Sequence, residues 1–208
     1  LHPAPRSVLG YHEFARRNDA PVCVVRVLEP DAVAVSVRWE GEAAVELKSI
    51  HPAGLFEGRV PHRRPLQPYK LHVRYASGVE IDKHDAYYFA PQLSDFDLYL
   101  FGEGNHYTIY YKLGAHPAEL DGLSGTRFAV WAPNARDVSV ICDADGWTHG
   151  KHPLKSSDSG VWWGFIPDIG PGAAYKFSIR TPTGQLVQKA DPYAFAAEHP
   201  PKSACIIC

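Results

Sequence analysis

The chain lacks several features that would assign it to a functional class at once. It has no methionine, and its 21 basic and 23 acidic residues leave a formal net charge of only −2. This balance does not favour a general affinity for nucleic acid or for acidic membranes. No apolar run approaches the roughly 20 residues of a membrane span. The first residues show no basic segment followed by an apolar stretch, so we expect no signal peptide.

Cysteine is also scarce. Four cysteines in 208 residues do not make a disulfide framework, so we expect a reduced, cytoplasmic protein. Cys205 and Cys208 have the spacing of a zinc or redox half-site, but no second pair accompanies them, which predicts two buried thiols at a strand end. His149 and His152 could share a metal, but eleven histidines make such proximity ordinary. The sequence therefore predicts no metal site and no cofactor.

What the chain does contain is an internal repeat. The segment from Val24 resembles the segment from Thr126, and its matched residues lie 103 residues apart, a shift that later becomes 106. The matched pairs include Pro30 and Pro133, Gly54 and Gly160, Phe56 and Trp162, Tyr69 and Tyr175, and Asp85 and Asp191. A register held with one small insertion indicates two tandem copies of one module, each large enough for a core of its own.

Both copies show the alternation that is typical of β-strands. The 18 prolines and 17 glycines divide the chain into short runs. The apolar members that share a face are Val33, Val35, Val37 and Trp39, then Tyr69, Leu71, Val73 and Tyr75, then Tyr175, Phe177 and Ile179. The polar members between them, which point the other way, include Lys70, Arg74, Lys176 and Ser178. One buried and one solvated face per strand predicts antiparallel sheets packed as sandwiches.

We therefore predict an all-β protein of two tandem immunoglobulin-like antiparallel β-sandwiches. Their predicted bounds are residues 1–93 and 115–208. Residues 94–114 are interpreted as a linker with short helical turns, because the stretch from Ser94 to Leu113 is interrupted by Gly102 and Gly104.

Several motifs carry a resemblance to known proteins. The second copy contains "FAVWAPNARDVSV", "DGW" ending at Trp147, "GVWWGFIP", "YKFSI" and "KADPYAF". Together they resemble a glycogen-binding carbohydrate-binding module of family 48. The first copy contains "VLGYHEF", "VRVLEPDAVAVSV", "HPAGLFEG" and "DAYYF". It looks like the extra N-terminal module of long bacterial glycogen branching enzymes, and the junction "LYLFGEGNHYTIYYKLGAHP" looks like the same family.

The resemblance implies a non-catalytic region of a larger enzyme. Members of that family continue into an (α/β)8 barrel that carries the catalytic carboxylates, and a barrel needs about 250 residues. We therefore predict no catalytic residues here, α-1,4-glucans such as glycogen and maltooligosaccharides as ligands, and the barrel as a partner. An isolated copy is expected to self-associate through an exposed apolar tail around Phe195 to Ile207 and through Trp163.

Two other functions stay open. The chain could be a stand-alone glucan-binding regulatory module, as in subunits of sugar-sensing kinases. It could also be the N-terminal part of a related debranching or trehalose-releasing enzyme. A fold of this kind does not by itself decide among these functions.

The predicted carbohydrate site consists of Trp147, Lys176, Asp145 and Trp163. Trp147 lies in the turn-rich segment "DADGWTHG", where an indole could stack on the C–H face of a glucose ring. The resemblance implies that Lys176 donates to glucan hydroxyls and that Asp145, where relatives carry Asn, accepts from them. Trp163 points away from Trp162 by strand alternation, and either a sugar platform or packing against a neighbour is open for it.

Some positions depart from the binding pattern. Ala144 replaces the usual aromatic residue beside Asp145, and Leu186 stands where binding relatives have a second stacking Trp. In the first copy, the positions equivalent to Trp147 are Ala44 or Gly41, neither of which can stack. The first module is therefore interpreted as a spacer or interaction module.

Overall fold

The chain divides into two compact units, Leu1–Tyr88 and Phe89–Cys208. A computed structural model describes residues 8–15, 20–62, 66–90 and 93–208. Nearly all regular structure in these ranges is β-strand, and every strand pair is antiparallel, which confirms the predicted all-β class. No helix within the described ranges is long and apolar enough to cross a membrane.

The described part of the first unit has seven strands in one hydrogen-bonded path. They are β1 (Gly10–Phe14), β2 (Val22–Leu28), β3 (Ala32–Arg38), β4 (Val45–His51), β5 (Leu55–Val60), β6 (Lys70–Tyr75) and β7 (Glu80–His84). Their order is β1-β2-β5-β4-β3-β6-β7. β4 pairs with β3 along its first residues and with β5 along its last residues. A strand that changes partners in this way is typical of the corner of a sandwich.

The second unit has two sheets. Its strands are β8 (Gly114–Leu120), β9 (Leu123–Trp131), β10 (Asp137–Cys142), β11 (His152–Pro153), β12 (Lys155–Ser156), β13 (Val161–Pro167), β14 (Ala174–Arg180), β15 (Leu186–Lys189), β16 (Ala196–Ala197) and β17 (Cys205–Ile206). One sheet has the order β12-β13-β9-β8, and the other has the order β11-β10-β14-β17-β16 with β15 beside β14. Buried side chains from both sheets form one core.

The repeat seen in the sequence is also a repeat of buried structure. Phe56 and Trp162 are core residues of their respective units. The Tyr69 hydroxyl donates to Asp85 at 2.5 Å, and the equivalent Tyr175 hydroxyl donates to Asp191 at 2.6 Å. Each copy therefore closes its core with the same buried phenol–carboxylate hydrogen bond.

A glycine with positive φ holds the same turn contact in both copies. Gly54 has φ +88° and Gly160 has φ +78°, and the carbonyl of each accepts a hydrogen bond from the neighbouring turn, from Glu29 N at 2.8 Å and from Ala132 N at 2.9 Å. A Cβ on Gly160 would lie 2.7 Å from Pro133 Cα. The close approach of two backbone segments explains why the glycine recurs with the proline at both positions.

Gly160→Ala is expected to destabilise the second unit by about 2–4 kcal/mol, because the left-handed backbone and the contact with Pro133 both disfavour a side chain. Gly184→Ala is the matched control. Gly184 also has positive φ, but nothing lies within 4 Å of its added Cβ, so only the conformational cost of about 1 kcal/mol applies. Urea unfolding, monitored by circular dichroism, measures the stability of both variants. Equal losses of stability in Gly160→Ala and Gly184→Ala would contradict the steric explanation.

The predicted strand faces are largely confirmed. Tyr69, Leu71 and Val73 are buried, as are Tyr175 and Phe177. Val33 was predicted on the buried face of β3 but is 56% exposed, because the β3–β6 register shifts between Ala32 and Ala34.

The prediction that Ser178 lies on the solvated face was also wrong. Ser178 is buried, because the segment after β10 covers that face of the sheet. The contact is made by His149, whose Nδ1 lies 2.9 Å from the Ser178 hydroxyl.

The cysteines are free thiols, as a chain without a disulfide framework requires. Cys23 and Cys142 are buried. Cys205 is also buried, but Cys208 is exposed, so the prediction of two buried thiols at this strand end holds for one of them. β17 ends at Ile206, which leaves Cys208 outside the hydrogen-bonded ladder.

The predicted helical stretch contains one short α-helix, α1 (Asp95–Gly102), and a 3-10 turn (Ile109–Tyr111). Leu98, Phe101 and Ile109 pack against a buried cluster of the second unit. That cluster consists of Leu93, Leu113, Ala129, Val161 and Trp163. The segment interpreted as a linker therefore belongs structurally to the second unit, and the module bounds at residues 93 and 115 stay a proposal.

The helix begins with a capping box. Ser94 Oγ accepts from Asp97 N at 3.1 Å, while Asp97 Oδ2 accepts from Ser94 N at 2.9 Å. Asp97 Oδ1 also lies 3.0 Å from His106 Nε2. Burial alone would raise the pKa of Asp97, but the contacts with His106 and Ser94 hold it well below its usual range.

Asp97→Asn is expected to lower stability at neutral pH by about 1 kcal/mol and to change little in acid. The folded-state pKa of Asp97 is lowered. Its stabilisation is therefore present above the unfolded value of about 3.9 and is lost as pH falls through the folded value. Thermal unfolding at about pH 7 and about pH 1.5 measures this difference, because at about pH 3 the Asp97 carboxylate would still be largely ionised in the folded chain. Asp95→Asn, an exposed neighbour in the same turn, is the control. An equal loss of stability in Asp97→Asn at both pH values would contradict the lowered pKa of Asp97.

Candidate functional site

The candidate site lies at the turn that follows β10. The strand ends at Cys142, and a 3-10 turn (Asp143–Asp145) leads into Gly146 with φ 69° and Trp147 with φ 62°. A bulky residue at positive φ is an outlier that its surroundings must hold in place. Here the backbone N–H of Trp147 donates to the Cys142 carbonyl at 2.9 Å, which closes the turn.

Asp145 organises this turn from inside. Its Oδ1 accepts from Cys142 N and from Thr148 N, both at 3.2 Å, and its Oδ2 lies 3.0 Å from His152 Nε2. The side chain is only 2% exposed. Burial would raise the pKa of Asp145, but the His152 contact and the two backbone donors lower it. The structure thus gives Asp145 contacts within its own loop, which differ from the sugar-accepting role expected for it.

Trp147 and Lys176 come together at the surface. Trp147 is 37% exposed, and the Lys176 ammonium lies 5.8 Å from the centroid of its ring. Lys176 lies on β14, which pairs with β10 so that Lys176 is opposite Ile141. The Lys176 ammonium also donates to Ser203 Oγ at 3.0 Å, which fixes its position beside the indole. The arrangement offers an apolar ring face with an adjoining cationic donor.

Trp163 is placed elsewhere in the second unit. It is 8% exposed and belongs to the buried cluster with Leu113 and Val161. The ammonium of Lys155 lies 4.1 Å from the centroid of its ring. Of the two roles that the sequence left open for Trp163, packing against a neighbour is the one that this burial supports.

The remaining predicted features separate in space. His149 and His152 do not converge on one point: His149 Nε2 lies 3.0 Å from Asp137 Oδ1, whereas His152 contacts Asp145. Leu186 is 45% exposed on β15 and offers no aromatic face. In the first unit, the equivalent positions are Gly41 and Ala44, which are exposed and have no side chain that can stack on a sugar.

Sequence reasoning missed Ser203. It lies 27 residues beyond Lys176 along the chain, and no motif marks it. The contact forms only because β17 returns beside β14.

Comparison with known families places the second module in a class. The profile of carbohydrate-binding module 48 (isoamylase N-terminal domain) matches residues 112–194. The second unit is therefore a carbohydrate-binding module of this β-sandwich class. The profile of the N-terminal domain of the α-1,4-glucan branching enzyme GlgB matches residues 1–87.

Similar whole proteins carry both modules. The chain is 48% identical to the 1,4-α-glucan branching enzyme GlgB of Rubrobacter xylanophilus over 211 residues, covering 99% of this chain and 28% of that enzyme. It is 49% identical to GlgB of Rhodopseudomonas palustris, with 99% and 28% covered. The chain belongs to the GlgB family and corresponds to its N-terminal region. It spans about 28% of the length of these relatives.

A solved structure is similar in part. The apo pullulanase of Paenibacillus barengoltzii is 23% identical, with 52% of this chain and 18% of that chain covered at a TM-score of 0.39.

Proposed function

We propose that this chain is the non-catalytic region of a 1,4-α-glucan branching enzyme that binds and positions glucan. The ligands are α-1,4-glucans, namely glycogen and maltooligosaccharides. The observation that carries the proposal is the half-exposed Trp147 beside Lys176, in the module that matches carbohydrate-binding module 48. The match to branching enzymes across both modules favours this function over a stand-alone regulatory module or a debranching enzyme.

The chemistry of the pair suits a glucan. An indole face is apolar and flat, so it stacks on the C–H face of a glucose ring and displaces poorly bound water. The ammonium of Lys176 carries three donors, and only one is directed to Ser203 in this structure. The other donors can reach hydroxyls of the sugar that lies against Trp147. Ordering of the turn by Asp145 before binding reduces the entropy lost when glucan binds.

In the whole enzyme, such a site would act by tethering. The proposed reaction breaks an α-1,4 bond and transfers the released chain to a 6-hydroxyl, forming an α-1,6 branch. A glucan held on this region has a raised local concentration at the catalytic domain, without any chemistry in the module itself. Such tethering would also influence the length of the transferred chain. We assign the first module to spacing, because it has no side chain equivalent to Trp147.

Calorimetric titration of the chain with maltoheptaose tests the proposal. Binding is expected with maltoheptaose and not with cellohexaose, whose β-1,4 linkage gives an extended chain that does not follow the curvature of an α-1,4-glucan. The absence of heat with both oligosaccharides would contradict an autonomous glucan site. Equal affinity for both would show a sugar-stacking surface that is not specific for α-1,4-glucan.

We also propose the catalytic domain of the longer enzyme as a partner, and self-association of the isolated chain. The tail expected to drive association is largely internal, since Cys205 and Ile207 are core residues and Trp163 is buried; Phe195, at 60%, is exposed. Other aromatic side chains of the second unit, after residue 95, are also exposed. They include Phe96, Tyr99, Tyr107, Tyr111 and Trp131.

The double variant Phe96→Ser, Tyr99→Ser is expected to reduce concentration-dependent association at least about threefold, because exposed apolar patches promote contact between copies. Sedimentation velocity over a concentration series measures this effect. Phe14→Ser, which removes a 46% exposed aromatic from the first unit, is the control. A wild-type chain that stays monomeric at every concentration would contradict the self-association.

A cytoplasmic location is proposed as well. The four free thiols, three of them buried, suit a reducing compartment.

A further inference from the structure

Three different metal-ligating side chains converge beneath the turn that carries Trp147. The Cys142 sulfur, a carboxylate oxygen of Asp145 and a ring nitrogen of His152 all lie within 4.8 Å of one another. The fold brings them together because β11 returns antiparallel to β10, with His152 opposite Val140. The strand end, the turn and the returning strand therefore contribute one donor each.

The group is enclosed by protein. Cys142 is fully buried, the Asp145 side chain is 2% exposed and the His152 side chain is 17% exposed. Donors in such a setting are held by their surroundings, which reduces the ordering needed to bind an ion. The partial exposure of His152 leaves one side through which an ion can enter.

One atom of the group lacks a hydrogen bond. Oδ2 of Asp145 is buried and has no hydrogen-bond partner among the described residues. His152 Nε2 lies 3.0 Å from this oxygen and forms an ion pair with it if the ring is protonated. A buried carboxylate oxygen without a hydrogen bond destabilises the folded chain. A cation held between the three donors would satisfy it.

We propose that Cys142, Asp145 and His152 bind a divalent metal ion of the zinc class. A thiolate with an imidazole selects Zn²⁺ over Mg²⁺ or Ca²⁺, which prefer all-oxygen sites. Tetrahedral zinc with these ligands requires donor separations of about 3.3–3.8 Å. The group has one pair at 3.0 Å and none beyond 4.8 Å, so small side-chain rotations suffice. Three protein ligands leave the fourth position to water.

Binding changes the protonation state of the sulfur. The Cys142 thiol loses its proton to solvent as the sulfur–metal bond forms, and His152 binds as the neutral imidazole. No oxidant or reductant takes part. This site differs from the pair considered from the sequence, because His149 is engaged by Asp137 and Ser178 and only His152 is directed at the group.

Titration of the reduced, chelator-treated chain with Co²⁺ tests the site. One equivalent is expected to give visible d–d bands of tetrahedral intensity and a thiolate-to-cobalt charge-transfer band in the near ultraviolet. One equivalent of Zn²⁺ is expected to displace the Co²⁺ and abolish both, and to raise the Tm of the chain. Cys142→Ser is expected to remove the charge-transfer band, and His152→Gln to weaken Co²⁺ binding by more than about a hundredfold.

Cys208→Ser is the matched control, because it removes the exposed thiol and should leave every band unchanged. Circular dichroism checks that each variant is folded. If Cys142→Ser does not fold, His152→Gln and the zinc-dependent Tm of the wild-type chain still decide. A folded wild-type chain with no charge-transfer band and no zinc effect on Tm would overturn the proposal and leave His152 as an ion-pair partner of Asp145. A band lost in Cys208→Ser would overturn it as well.

Discussion

Trp147→Ala is expected to weaken maltoheptaose binding at least about tenfold, which corresponds to about 1.4 kcal/mol. Trp147 is the only residue of the proposed pair that offers an apolar face, and Leu186 supplies no second aromatic platform. With one platform, loss of the indole removes most of the buried apolar contact with the sugar. Calorimetric titration of the wild-type chain and the variant measures the change.

The control for this prediction is a second exposed indole. Trp131 is 54% exposed at the end of β9, yet it lies outside the Trp147–Lys176 pair. Trp131→Ala should therefore bind maltoheptaose as the wild type does. If Trp131→Ala lost binding and Trp147→Ala kept it, the glucan would bind at Trp131, and the assignment of the site would be wrong.

A substitution of Lys176 separates stacking from hydrogen bonding. Lys176→Met keeps the apolar stem and removes the donors, so it should weaken binding less than Trp147→Ala does. The expected loss is about two- to tenfold, as for one hydrogen bond to a charged donor at a wet surface. The Lys176 ammonium lies near the Trp147 ring and donates to Ser203. A loss as large as that of Trp147→Ala would therefore indicate that Lys176 also holds the indole in place.

The parts of the fold that could be predicted from the sequence are those set by local patterns. Alternation in the segments that contain Tyr69 and Tyr175 located two central strands, because a period of two follows directly from strand geometry. The prediction for Val33 was wrong because the pairing register shifts within β3, and nothing in the sequence marks the position of this shift. The prediction for Ser178 was wrong because its burial depends on a distant segment that covers the outer face of the sheet, here the segment with His149.

The candidate site divides in the same way. Trp147 was predicted from a turn-rich loop, and Lys176 from the resemblance carried by its strand motif, because each signal is local. Their proximity depends on the pairing of β10 with β14, and the support from Ser203 depends on a strand much further along the chain. Asp145 was placed correctly in the loop, but its direction could not be foreseen, since an aspartate in a turn can face solvent or its own backbone donors.

Asp191→Ala is expected to destabilise the second unit by about 2–4 kcal/mol, because two buried donors lose their acceptor. Asp191 is 6% exposed, accepts from the Tyr175 hydroxyl at 2.6 Å and accepts from Tyr193 N at 2.8 Å. Denaturant unfolding measures the loss. Asp158→Ala, an exposed turn aspartate of the same unit, is the control and should change stability by less than about 0.5 kcal/mol. A double-mutant cycle with Tyr175→Phe should give a coupling of about 1–3 kcal/mol.

The pH dependence of this loss distinguishes Asp191 from Asp97. Burial raises the pKa of Asp191 above its ordinary value, although the Tyr175 and Tyr193 donors oppose the rise. Its contribution is therefore fully present below the unfolded pKa and falls as pH rises through the folded value, which is the opposite of the slope expected from Asp97. The deficit of Asp191→Ala should grow as pH falls from about 7 to about 4, whereas that of Asp97→Asn should stay nearly constant in this range and shrink only at lower pH. If both deficits moved in the same direction, one of the two carboxylates would not have the environment described.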